Sequence, residues 1–243
     1  FLAEGFLGFG VGDLAARLRC SRSSLYLVAG SKQEIVLVTL RAWFRGAAER
    51  IQRRVLAEPD PATRLRTYLL AVSDELAPAS PAFYADLLAH PPAGEVYEEN
   101  TRYAARRVRA LVDAGDFEGA FTKALGLSSV DTVAWVCSRA DAKREAIFSS
   151  TPVALSQGVL LSLAQQLSSD LEEEPELKIA WVRDAALAID PSDAALAQHM
   201  RPILEAVFAG LHECATAPET PAPVKNDLRL CIHVVNSLLT ACK

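Results

Sequence analysis

LSQGVLLSLAQQL, Leu155 to Leu167, decides the fold class. Val159, Leu160, Leu163 and Leu167 recur at spacings of three and four, Leu171 extends the row, and Ser156 stands where a helix N-cap belongs. Such a stripe is stable only when packed on other helices. Near the end of the chain Leu228, Ile232, Val235, Leu239 and Cys242 form a second stripe of the same kind. Half of the 243 residues are apolar, aromatics make up only 7%, and alanine and leucine dominate, a mixture that favours helix over sheet. An all-α protein is expected.

Turn signals divide the rest. Gly8, Gly10 and Gly12 precede a short helix over Asp13 to Arg19, Ser21 can cap a second towards Ala29, and Ser31 a third from Lys32 towards Leu56. Further helices are expected at Ala62–Leu76, Glu95–Val112, Phe117–Leu125, Val130–Cys137, Ser156–Leu171, Glu176–Ile189, Ala194–Ala215 and Lys225–Ala241, with Ser192 a candidate cap before Met200. PASP, HPP, EEEPE, DPSD and ATAPETPAP separate them, and the last reads as a mobile linker.

Charge is unevenly placed. Residues 1–54 carry nine Lys and Arg against four acids, whereas 117–243 carry ten against sixteen, so a basic head suited to a polyanion precedes an acidic remainder. Arg102, Arg106, Arg107 and Arg109 read as a solvated helix face. The odd number of cysteines, with no CxxC pair, points to neither a disulfide framework nor zinc and favours a reducing, intracellular setting. Glu4 and four glycines in FLAEGFLGFGVG argue against a signal peptide, and no apolar run is long enough for a membrane span. His90, His199, His212 and His233 form no i, i+4 pair, and there is neither a GxSxG elbow nor a glycine-rich phosphate loop. No enzyme, metal or cofactor is expected.

In a helix-turn-helix the second helix enters the major groove by its N-terminal residues. Ser21, Arg22, Ser23 and Ser24 would form that turn here, with Arg22 able to reach a guanine edge and Tyr26 and Lys32 placed on backbone phosphate. Leu14, Ala15, Leu18 and Leu25 would make the small core. The stretch GDLAARLRCSRSSLYLVAGSK, Gly12–Lys32, resembles the TetR family of repressors, whose partner is duplex DNA, and departs from it at Ala29, where the family has an aromatic. The likeness continues through DPATRLRTYLLAVSDEL, SPAFYADLLAHPP and YAARRVRALVDAG to about Val112; only FLAEGF stands for the first helix of that family, and its dimer-forming helices do not follow.

From Phe117 onward FEGAFTKAL, WVCS, LSQGVLLSLAQQL, KIAWV, AIDPSD, HMRPI and LRLCIHVVNSLLTACK resemble the C-terminal domain of the enhancer of mRNA decapping, in its plant (Varicose) form. That resemblance implies a stack of helical hairpins acting as a non-enzymatic docking module in cytoplasmic mRNA-decay granules (P-bodies), with the decapping enzyme and the 5′-to-3′ exonuclease as partners. Lys178, Arg183, His199 and Arg201 are candidate exposed partner contacts.

The expectation is therefore a truncated helix-turn-helix head followed by a stack of α-helical hairpins: a DNA-binding region and linker helix over 1–56, partial ligand-domain helices over 57–116, and the decapping-type domain over 117–243. Two such families in one chain read as a chimaera with a seam near Ala114–Phe117. Two functions follow, a protein-binding scaffold and a DNA-binding regulator.

Overall fold

The computed structural model describes residues 1–127, 129–194 and 196–242 and is all-α, with no strand among the described residues. Its helices are α1 (Val11–Leu18), α2 (Arg22–Tyr26), α3 (Lys32–Ala57), α4 (Pro61–Leu76), α5 (Pro81–Ala89), α6 (Pro91–Asp113), α7 (Phe117–Leu125), α8 (Val130–Ala140), a 3-10 turn at Asp141–Lys143, α9 (Arg144–Ser149), α10 (Gln157–Ser168), α11 (Pro175–Ala188), α12 (Ala197–Thr216) and α13 (Ala222–Ala241). Two compact units result, one from Phe1–Glu58 with Thr67–Ala104, the other from Pro59–Arg66 with Ala105–Lys243.

In the first unit, Ser21, Ser31 and Ser80 cap α2, α3 and α5 by accepting the N–H of Ser24, Glu34 and Phe83. The FLAEGF stretch forms no helix. Instead it delivers Phe6, fully buried, among Val36, Leu40, Phe44, Phe83 and Leu87, with its ring edge-on to Phe83 at 6.1 Å. Asp86 holds it there by accepting the N–H groups of Phe6 and Leu7. Gly5 makes the approach feasible: its φ is +77°, and a Cβ on it would lie against the Asp86 carboxylate. A smaller cluster joins Leu14, Ala15, Leu25 and Ile35. Leu18, expected in that cluster, is instead 65% exposed at the last position of α1.

The second unit is built around α10, which packs on α7, α8, α11 and α12. Val159, Leu160, Leu161, Leu163, Ala164 and Leu167 are all buried, so this helix is apolar nearly all round, as its central position requires. Short connections join α10 to α11 and α12 to α13, and each pair packs together as a hairpin. Val108 of α6 and Leu65 of α4 are buried in the same core. Trp181 is the largest fully buried side chain, 5.4 Å from Phe121 and 5.5 Å from Phe148 between ring centroids, and its indole N–H donates to Asp141 Oδ1 at 3.1 Å.

At Gly210, α12 comes so close to α10 that a Cβ would overlap the carbonyl oxygen of Ser168. Gly210→Ala is therefore expected to destabilise the second unit by about 1–3 kcal/mol through overpacking, despite the gain in helix propensity. Urea unfolding followed by circular dichroism checks this; an unchanged midpoint would show that the two backbones can part freely.

Ser156 does not cap α10 by the usual bond. Its N–H and hydroxyl both donate to the Glu118 carboxylate of α7, at 2.9 and 2.7 Å. Burial raises the Glu118 pKa, outweighing the opposing bonds from Ser156. A carboxyl raised on folding binds protons more tightly in the folded state, so its contribution is complete below the ordinary carboxylate range and declines as pH rises through the folded value. Glu118→Gln is expected to flatten that decline, read as unfolding midpoints in a pH series upward from 4. A slope unchanged by the substitution would remove Glu118 as its source.

Candidate interaction surfaces

The serine cluster is brought together as expected. Ser21 Oγ lies 2.7 Å from Ser23 Oγ and 2.8 Å from Ser24 Oγ, and all three residues are exposed together with Arg22 and Tyr26. α2 is one and a half turns long, and the Arg22 guanidinium lies close over Gly12, which has no side chain to block it. Lys32 points elsewhere: its Nζ donates to the Leu7 carbonyl at 2.8 Å. Beside the serines, Leu27 is 88% exposed, as are large parts of Leu18 and Val28.

Of the four candidate contacts in the second unit, Lys178 departs from the expected exposure. It is buried to 1%, because its ammonium turns inward to donate to the Asp170 carbonyl at 2.9 Å, with the Asp170 carboxylate 3.5 Å away. This pairing ties the acidic 170–174 segment to α11 and satisfies a charge that could not be buried alone. Arg183 is half-buried and pairs with Asp184 at 3.0 Å. His199 is exposed near the start of α12. Arg201 donates to the carbonyls of Cys242, at 2.9 Å, and Leu239, completing the C-terminus of α13 with a positive charge where the helix dipole favours one. Ser192, the expected cap before Met200, instead donates to Asp190 at 2.6 Å, and α12 begins only at Ala197.

Two surface features were not singled out from the sequence. A groove of about 780 Å³ runs beside α9 and α11, lined by Asp141, Arg144, Glu145, Phe148, Asp184 and Leu187. Arg144 bridges Asp141 at 2.8 Å and Asp184 at 3.2 Å, so its charge is already compensated. The second feature centres on Trp135 of α8, with the guanidinium carbons of Arg109 and Arg139 at 5.3 and 5.5 Å from its ring. The i, i+4 spacing of Trp135 and Arg139 was a legible signal for half of it.

Burial pushes the Cys137 thiol well above its ordinary value and the Cys231 thiol up to about 12, which keeps both inert. Among the described residues there is no cluster of three or more metal-ligating side chains and no helix long and apolar enough to cross a membrane.

By its fold the molecule is of the class of all-α proteins built from packed helical hairpins. The chain belongs to the family described as "Enhancer of mRNA-decapping protein 4, C-terminal", whose profile matches residues 108–231. The enhancer of mRNA-decapping protein 4 of Danio rerio is 37% identical over 112 residues, covering 44% of this chain and 8% of that protein. The Homo sapiens protein of that name is 36% identical over 97 residues, 40% of this chain and 7% of that protein. The Mus musculus protein is 27% identical over 183 residues, 75% of this chain and 12% of that protein. The chain thus spans only about a tenth of the curated relatives it matches. A crystal structure of the conserved C-terminal region of Ge-1 is 24% identical with a TM-score of 0.48, covering 56% of this chain and 98% of that one.

These matches reach ahead of Phe117. The family profile begins at Val108, and an alignment over three quarters of the chain necessarily crosses residues 114–117, where the seam between two parent proteins was expected. The decapping-type resemblance is accordingly continuous across that point.

Proposed function

We propose that the chain is a non-enzymatic docking module of the mRNA decapping and decay machinery, acting in cytoplasmic decay granules and bringing together the decapping enzyme and the 5′-to-3′ exonuclease. The observation that carries this reading is the family match over residues 108–231, which falls within the second compact unit. Arg183, His199 and Arg201 are proposed partner contacts, and Lys178 supports them from inside. The test is capture of the two decay factors by the full chain. Trp181→Ala, which opens the core of the second unit, is expected to abolish capture, and Phe6→Ala, which opens the core of the first, to spare it. The reverse pattern would place the docking surface in the wrong unit.

A second reading, a DNA-binding regulator, is supported by the α1–α2 pair with its three-residue turn and by the exposure of Ser21, Arg22, Ser23, Ser24 and Tyr26. It requires affinity for duplex DNA that falls steeply with salt and that Arg22→Ala reduces by about 1–3 kcal/mol. Salt-insensitive or absent binding removes it.

A further inference from the structure

We propose that Trp135, Arg109 and Arg139 form a recognition site for an acidic side chain, a carboxylate or a phosphate ester, on a peptide segment of a partner protein. The inference deepens the docking reading above and rests on it. Two guanidinium groups stand within 5.5 Å of one indole ring, contributed by α6 and α8 of the same compact unit. A guanidinium held near an aromatic ring by the cation–π attraction keeps N–H groups available for hydrogen bonds to an oxyanion.

Among the described residues this pair lacks an internal counterion, as do Arg102, Arg106 and Arg107, and is set apart from them by converging on a single ring. Arg17, Arg50, Arg54, Arg144, Arg183 and Arg201 each pair with a carboxylate. Among the described residues neither Arg109 nor Arg139 does, although this half of the chain is rich in acids. Two exposed cations at one ring, neither paired with a carboxylate, are a charge pattern that an anionic group from outside completes.

A second observation selects the class of partner. Trp135 is also a wall of a cavity of about 250 Å³, lined further by Asp131, Ala134, Ser138, Glu173, Glu174 and Lys178. The ammonium of Lys178 is held by Asp170, so the cavity presents an excess of carboxylates. A nucleic-acid strand crossing the indole would bring its phosphates against them. A peptide with an acidic residue on Arg109 and Arg139 and a basic residue close by matches both sides of the ring.

The test uses the full chain and a short fluorescein-labelled peptide of Gly-Ser spacers carrying paired glutamates beside one lysine, with fluorescence anisotropy at low ionic strength. Binding is expected, and Arg109→Gln and Arg139→Gln should each weaken it about tenfold, the effect of losing a charge-assisted bidentate contact. Arg229→Gln, an exposed change elsewhere, should leave it unaltered. Circular dichroism melting of each variant checks that the fold is retained. Absent binding, equal affinity of the two arginine variants and the unaltered chain, equal binding of a peptide with its charges reversed, or tighter binding of an oligouridylate would each overturn the proposal.

Capture of the decay factors separates the two levels. If the unaltered chain captures them and the Arg109→Gln/Arg139→Gln double variant does so equally well, this site is wrong and the docking reading stands. If the unaltered chain captures neither while the glutamate peptide binds as described, the docking reading fails and the anion site stands.

Discussion

Replacing Trp181 with alanine is expected to lower the unfolding free energy of the second unit by about 3–5 kcal/mol, the usual range for removing a large buried aromatic side chain. Three losses coincide there. The ring leaves a cavity between Phe121 of α7 and Phe148 of α9, the contacts that bind those helices to α11 disappear, and the indole N–H that donates to Asp141 is gone. Trp181→Phe separates these effects in large part, since it keeps most of the volume while losing the hydrogen bond and leaving a small void, and about 1–3 kcal/mol is expected for it. Equilibrium urea unfolding of the three proteins measures both steps. A loss below about 1 kcal/mol for the alanine variant would mean that the helices collapse onto the vacancy and that Trp181 organises nothing.

The first unit is expected to respond as strongly to Phe6→Ala, by about 3–5 kcal/mol. Phe6 is the sole fully buried side chain that the non-helical N-terminal stretch delivers to its core, and the N–H groups of Phe6 and Leu7 engage Asp86. With the ring removed, the stretch has little reason to remain docked, and amide hydrogen exchange over α5 should accelerate along with the lowered midpoint. Protection in α5 unaffected by the substitution would show that the core closes without the N-terminal segment.

The fold was legible wherever local rules suffice. The boundaries of α7 coincide with those expected because Asp116, an N-cap, and Gly126 bracket a short amphipathic run. Ser21 and Ser31 were recognisable as caps for the same reason. Two of the misreadings come from partners outside the residue's own helix, whereas Ser192 was lost to a local bond with Asp190. Ser156 finds Glu118, and no pattern within α10 announces it. Lys178 looked like a solvated helix lysine because the carbonyl that receives it belongs to the preceding connection, at Asp170.

The interaction surfaces were less legible for the same reason. Arg109 read as one member of a solvated charge run, and only the fold brings its side chain to Trp135. The resemblance of Gly12–Lys32 to a repressor motif rested on residues that make equally good sense as caps and as the small Leu14–Leu25 core.

The placement of the cysteines has a practical outcome. Cys137, Cys231 and Cys242 are buried and Cys214 is half-covered, whereas Cys20 lies open in the turn between α1 and α2. A maleimide dye added briefly at neutral pH should therefore attach at Cys20 ahead of the others, without mutagenesis. A single reporter would then sit directly beside Ser21 and Arg22, where contact with a nucleic acid or a protein would change its emission.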